Sequence, residues 1–230
     1  MAFSIIIPTR NEAVTIGQLV QNLRQHAAPH AVEILVVDAN STDGTADAAC
    51  RAGATVLPAP QPGRAAQMNH GAAHATGDIL YFVHADVGIH PDYAATIQRA
   101  VAQGYEAGCY RFRFDSSHPL LRINSYGTRF KGIMSRGGDQ TLFITRTLFQ
   151  RLGGFNERFV IMEDFEIIRR IRRVARFLIV PQDVVVSARK YETNSWFRVQ
   201  IANLTAFSLF FLKVSPPRIA RTYKAMLNYR

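Results

Sequence analysis

Apolar positions recur along this chain in two alternating rhythms. From Phe3 to Ile7 a short β-favouring run is stopped by Pro8. After Thr9-Arg10-Asn11-Glu12 the period lengthens, so that Ile16, Leu19, Val20 and Leu23 share one helical face. Glu33 to Asp38 is a second apolar strand ending in an acid. Asn40-Ser41-Thr42-Asp43-Gly44 is a turn in which Ser41 or Thr42 is placed to cap a helix running through Cys50. Thr55 to Leu57 make a third strand, Pro58 to Gly63 break the chain, and Arg64 to Ala75 form an alanine-rich helix. Gly77-Asp78 then introduces Ile79 to Val83, five consecutive apolar residues, as expected of a strand covered on both faces. This alternation predicts an α/β fold, a mostly parallel twisted sheet with helices on both faces.

Beyond Asp86 the rhythm changes. A helix near Tyr93 to Gln103 gives way to Ala107–Phe114, where Tyr110, Phe112 and Phe114 alternate with Cys109, Arg111 and Arg113, as in a strand of a mixed sheet. Ser135 to Gln140 reads as a loop before a strand from Thr141 to Thr145, and Gly153-Gly154-Phe155 as a turn. Met162-Glu163-Asp164 opens a helix with Phe165, Ile168, Ile171 and Val174 inward. Trp196 to Val214 is strongly apolar, yet its apolar run is shorter than the ~20 residues a membrane span needs. Ser215-Pro216-Pro217 ends it, with Pro217 suited to the first turn of a last, basic helix.

Composition narrows the partners. With 48% hydrophobic and 19% charged residues in 230, the chain is neither disordered nor a disulfide scaffold. Cys50 and Cys109 lack metal-ligand spacing and fit a reducing, cytoplasmic compartment; the opening apolar run is too short for a signal peptide. A net charge of +10 calls for an acidic partner: nucleic acid, an anionic membrane or a phosphorylated small molecule. Five arginines fall between Arg169 and Arg176, and after Glu192 six basic residues follow without an acid. Residues 196–230 therefore suit a helix on the cytoplasmic face of an anionic membrane. The competing explanation is that Phe207, Phe210 and Phe211 pack on the sheet or on a second copy in a homodimer, with the cations a solvated face. Nucleic acid is disfavoured, because the basic residues form no reading motif.

The candidate chemistry sits at strand ends. Ligands of open α/β sheets meet the carboxyl ends of strands, where this chain places Asp38 and His84-Ala85-Asp86. Taken alone, Asp86 is equally well explained as a turn residue or helix cap. Neither a phosphate loop ending in Lys-Ser/Thr nor a Gly-x-Gly-x-x-Gly turn follows the first strand, and cysteine zinc sites are absent.

The order of these signals resembles the inverting glycosyltransferases of family 2, of GT-A fold. The matching pieces are Ser4 to Glu12, Glu33 to Asp38 with Ser41 to Gly44, Gly63-Arg64 with Asn69 and Gly71, Ala75 to Ile79, His84-Ala85-Asp86, Gly153-Gly154-Phe155 and Glu163-Asp164. Each is weak alone; together and in order they are strong. The chain is most similar to the compact subgroup associated with radical-SAM/selenodomain proteins and arsenosugar biosynthesis, in which His replaces the first acid of the turn and Gly-Gly-Asp-Gln lies downstream.

The resemblance implies transfer of a sugar from a nucleotide-diphosphate donor to an unidentified acceptor hydroxyl. It implies a nucleotide-binding half at about 1–90, an acceptor half at about 91–192 and a helical appendage at 193–230. Asp164 would be the base that takes the acceptor proton; alternatively Glu163 and Asp164 merely favour the positive end of their helix. Asp86 would bind Mg²⁺ or Mn²⁺ together with the diphosphate. His84 removes one carboxylate from that turn and either favours Mn²⁺, contacts the ribose, or is a core histidine. Pro8, Thr9, Arg10, Glu12, Asp38, Arg64, Asn69, His84, Ala85 and Asp86 form the implied donor site, and Asp38 at the base edge favours UDP. Asp38 is otherwise an ordinary strand-end acid, and Asn69 a polar helix residue. Gly138, Asp139, Gln140 and Glu163 would meet the acceptor or donor sugar, the first three being otherwise a plain loop. Arg189 and Lys190 would close over the diphosphate, or be a solvated pair. Two alternatives remain: a nucleotidyltransferase of similar sheet topology, and a non-catalytic nucleotide-sugar or lipid-headgroup binder.

Overall fold

The structure is a computed structural model that describes residues 1–130, 132 and 140–228. Its strands are β1 (Phe3–Thr9), β2 (Val32–Asp38), β3 (Thr55–Pro58), β4 (Ile79–Phe82), β5 (Val87–Gly88), β6 (Ala107–Phe114), β7 (Leu142–Thr145) and β8 (Phe177–Val186). They form an eight-stranded sheet in the order β3-β2-β1-β4-β7-β6-β8-β5. The half built from β3, β2, β1 and β4 is parallel, as the alternating rhythm predicts. From β7 onward the sheet is mixed: β7 runs antiparallel to β4 and β6, β8 parallel to β6, and β5 antiparallel to β8.

Alternation of side chains sorts the core into two layers. Ile5 and Ile7 of β1 point to one face, where α1 (Ala13–Gln25), α2 (Thr45–Arg51), α4 (Tyr93–Ala102) and α5 (Pro119–Gly127) bring Ile16, Ala49, Ile97 and Leu121. Ile6 points to the other, where α3 (Arg64–His74), α6 (Arg146–Leu152) and α7 (Glu163–Val174) bring Met68, Leu148 and Ile168. Each fully buried Ile or Leu contributes about 1.5–3 kcal/mol of burial free energy, which offsets the ordering of its segment. At Gly71 a Cβ would lie 2.5 Å from the Ile6 side chain, so glycine lets α3 seat against β1.

Several expectations need correction. Pro8 does not end β1, which continues to Thr9. Ile6 accepts from Val83 on the β4 side; Pro8, two residues on, faces that same side past the end of β4, where no ladder donor is required. Neither Ser41 nor Thr42 caps α2: its cap is Gly44 in the left-handed region, and Ser41 is turned to Asp38. On α7, Ile167 joins Ile168 and Ile171 inside, Phe165 is half-buried, and Val174 is exposed because it closes the last turn.

The last two helices, α8 (Trp196–Phe211) and α9 (Pro216–Met226), pair through Val199, Ala202, Ala206, Phe210, Ile219 and Tyr223. Phe159, Ile161 and Met162, which precede α7, pack on this cluster. Pro216 and Pro217 open α9, as expected of its first turn. No helix among the described residues is long and apolar enough to cross a membrane.

Candidate active site

Because β1, β2 and β4 are parallel neighbours, their carboxyl ends deliver the first loop, Asp38 and His84-Ala85-Asp86 to one edge. Thr9 and Asp38 are register partners, and Thr9 Oγ1 donates to Asp38 Oδ1 at 3.2 Å. Ser41 grips the same carboxylate through its amide at 2.9 Å and its hydroxyl at 2.5 Å. Asn11, at φ 56°, donates its amide to Ser41 Oγ (2.8 Å) and accepts from the Thr42 amide (3.0 Å), tying the first loop to the second. Gln67 of α3 fastens the strands beneath by donating to the Thr9 and Val37 carbonyls at 2.9 and 2.7 Å. A polar side chain on the buried face of an alanine-rich helix was the sequence signal for Gln67. Pro8 and Ala85 are buried in this edge, while Arg10 is exposed at its rim.

The turn after β4 carries two unlike groups. His84 is buried, and burial, reinforced by the charge of Arg64, lowers its pKa to about 3, so the imidazole is neutral. Asp86 keeps 31% of its side-chain surface exposed and lies 3.3 Å from Nη2 of Arg189. Arg189 sits in a 3₁₀ turn (Arg189–Tyr191) just after β8 and also forms a two-point pair with Glu12, at 2.6 and 3.2 Å. The Glu12 contact, assisted by the charge of Asp86, raises the Arg189 pKa. A cation thus bridges the first loop and the acidic turn, an arrangement that no local pattern encodes because Glu12 and Arg189 stand 177 positions apart.

The third component is the start of α7. Met162 at φ 69° turns the chain so that Glu163 and Asp164 enter the first helical turn, both buried. Arg64 lies 3.2 Å from Glu163 Oε1, close enough to pair although not aligned for a hydrogen bond. Upstream, Asn69 clamps the Gly153-Gly154-Phe155 turn by accepting from the Phe155 amide and donating to its carbonyl, both at 2.9 Å. Arg170 holds the other side through the Leu152 and Gly154 carbonyls and an i,i+4 pair with Glu166. The turn therefore aims α7, which links it physically to the position of Asp164.

Three expected site residues are placed elsewhere. The Asn69 amide is committed to Phe155 and the Glu157 carboxylate (2.8 Å), so it positions a loop and does not face the donor edge. Gln140 is fully buried and accepts from Cys109 of β6, out of reach of a solvent-borne sugar in this conformation. Lys190 turns to the Tyr223 hydroxyl of α9. Gly138 and Asp139 lie outside the described residues.

No three His, Cys, Asp or Glu side chains gather as a metal cage among the described residues. Asp86 does fit the mode in which a hard cation takes one protein carboxylate and completes its shell with phosphate and water. Arg189 already places positive charge 3.3 Å from that carboxylate.

Residues 4–161 match the profile of "Glycosyl transferase family 2". Among curated relatives, glucosyl-3-phosphoglycerate synthase of Mycolicibacterium smegmatis is 37% identical over 97 residues, covering 39% of this chain and 32% of that protein. The chain spans about a quarter to a third of the length of the curated relatives it matches. A mannosyltransferase from Pyrobaculum calidifontis, solved with GDP-Man and Mn²⁺, superposes with TM-score 0.69 at 22% identity, over 97% of this chain and 69% of that one. Glucosyl-3-phosphoglycerate synthase from Mycobacterium tuberculosis, solved with Mg²⁺ and UDP, gives TM-score 0.61 at 18% identity, over 89% and 78%. These likenesses establish the GT-A fold.

Proposed function

The chain belongs to glycosyl transferase family 2, and from that premise we propose that it is an inverting glycosyltransferase using a nucleotide-diphosphate sugar, with UDP as the favoured carrier. The observation that carries this reading is the delivery of Asp38 and the His84-Ala85-Asp86 turn to the carboxyl edge of the parallel half-sheet, with Arg64, whose charge reaches His84, pairing with Glu163 next to Asp164.

Asp38, fixed by Thr9 and Ser41, presents a carboxylate to the imide N–H of uracil. Asp86 would hold Mg²⁺ or Mn²⁺, with the neutral His84 imidazole beside it for the ion or the ribose; such an ion supplies positive charge for the departing diphosphate. Asp164 accepts the proton of the acceptor hydroxyl as its oxygen attacks the anomeric carbon. The bond to the diphosphate breaks on the opposite face, the pair of electrons leaves with the nucleoside diphosphate, and configuration inverts. Arg189 leaves Glu12 and Asp86 to meet the diphosphate, exchanging two carboxylate contacts for phosphate contacts. Arg64 pairs with Glu163 beside the base.

His84 in place of an acid, and Gly137-Gly138-Asp139-Gln140 downstream, support placement in the radical-SAM/selenodomain-associated subgroup. We further propose a cytoplasmic location with contact to an anionic lipid surface through α8. Phe197, Ile201, Leu204, Phe211 and Leu212 lie exposed along it, and the same terminal segment carries Arg198, Lys213, Arg218, Arg221 and Lys224 without an acid.

The test pairs binding with turnover. UDP, titrated with Mn²⁺ and again with EDTA, is expected to bind wild type in the presence of metal and to lose that binding in Asp86→Ala. Asp164→Asn is expected to retain UDP binding and lose roughly 10²–10⁴-fold in release of UDP from the sugar donor. Full turnover by Asp164→Asn would overturn the base assignment. Pyrophosphate release from a nucleoside triphosphate would mark a nucleotidyltransferase, and donor binding with no turnover even in wild type a binding protein.

A further inference from the structure

Away from the donor edge, a cavity of about 630 Å³ opens between the Asn156–Phe159 segment, the arginine-bearing face of α7 and the α8–α9 turn. Its cations come from three elements: Arg158 from the loop, Arg169 from α7 and Lys213 from the end of α8. Phe159 and Phe210 form an aromatic wall, their rings edge-to-face at 5.8 Å. The guanidinium of Arg169 lies 5.0 Å over the Phe210 ring, and among the described residues it forms no ion pair; its Nε is buried without a hydrogen-bond partner. Among the described residues, no acid lines the cavity. The neighbouring Glu157 is engaged with Gln61 and Asn69. Lys213 is held at φ 57°, in the position after a helix that glycine normally takes, so a long cationic side chain stands there against backbone preference.

We propose that this cavity binds a phosphomonoester carried on an apolar chain. Three like charges brought together from separate elements repel one another until an anion joins them. A tetrahedral phosphate offers three oxygens to three separately placed donors, whereas a planar carboxylate offers two. The volume far exceeds that of a phosphate, so the ligand has a further body, and the phenyl wall suits an apolar one. The cavity meets the C-terminal end of α8, where Phe211 and Leu212 are exposed, so a chain leaving it continues along apolar surface. The site is separate from the donor edge: Arg169 lies five residues beyond Asp164, roughly 140° around the helix.

Calorimetric titration of full-length protein with glycerol 3-phosphate, dihexanoyl phosphatidic acid and dihexanoyl phosphatidylcholine, each below micelle formation, tests the assignment. Phosphatidic acid is expected to bind at least about tenfold tighter than glycerol 3-phosphate, and phosphatidylcholine not at all. Arg169→Gln and Lys213→Gln should each weaken phosphatidic acid about tenfold, as should Arg158→Gln, whose exposed side chain makes misfolding a poor explanation. Arg172→Gln, exposed on the same helix, should bind like wild type. Absence of phosphate binding at millimolar concentration, or binding unchanged in all three variants, would overturn the site. Equal affinity for the two phosphates would sink its apolar half, and binding of phosphatidylcholine its charge selectivity. UDP titrated into the same variants should match wild type, so failure here and failure of the donor site are read separately.

Discussion

At the scale of single residues, most polar side chains near the donor edge position other groups. Glu33 is the clearest case away from the chemistry. Burial would raise its pKa, but the Ser4 hydroxyl, the amide and hydroxyl of Thr76 and the Gly77 amide all donate to it, and the net shift is downward. A carboxylate depressed in this way binds its proton more readily in the unfolded chain. Its stabilisation is therefore complete above the ordinary glutamate range and fades as pH falls through the folded pKa. Glu33→Gln is expected to lower the melting temperature most near neutrality and to flatten the acid limb of the profile below about pH 4.5, where its difference from wild type shrinks. An unchanged acid slope would show that the Glu33 cluster carries no linkage. Residue chemistry was legible where an acid ends an apolar strand, as at Asp38 and Asp86. Arg189 was legible as a cation following a strand, but its two carboxylate partners lie far off in sequence, and no local pattern encodes them.

Individual elements depend on a few tight joints. Gly154 has φ 71°, and a Cβ there would fall 2.7 Å from Asn69 Oδ1, the atom that accepts from the Phe155 amide. Gly154→Ala is expected to cost about 1–3 kcal/mol in chemical unfolding, through left-handed strain and displacement of the Asn69 clamp. A cost near zero would mean the turn relaxes without that clamp. The same scale shows why some elements escaped the sequence pattern. The helical periodicities of α1, α3 and α4 stand alone and predict themselves. β8 does not, because Pro181-Gln182-Asp183 interrupts its apolar run. The register with β6 jumps there, and Arg111 bridges the irregularity by donating to the Pro181 carbonyl and pairing with Asp183 at 3.1 Å. A bulge stabilised from a neighbouring strand leaves no two-residue alternation to read.

For the whole molecule, charge and exposed apolar surface coincide on the terminal hairpin. If α8 contacts lipid as proposed, the protein should float with phosphatidylglycerol vesicles and stay behind with phosphatidylcholine vesicles. That binding should weaken as salt rises, because each surface cation contributes on the order of 1 kcal/mol through a screened field. Phe197→Ser with Leu204→Ser should abolish flotation while UDP binding persists. Equal flotation with both lipids, or a stable dimer that covers these residues in solution, would refute the contact. The hairpin's connection to the rest of the molecule has its own consequence. Arg189 grips the donor edge while its chain neighbour Lys190 grips Tyr223, and Asn194 is joined to Asn228 through two hydrogen bonds. Consecutive residues of a single turn are thereby anchored to two different bodies. Like a latch with two tongues on one bolt, this turn joins the carboxyl edge of the sheet to α9 through adjacent residues, and a swing of Arg189 away from Glu12 and Asp86 is expected to pull on the terminal hairpin.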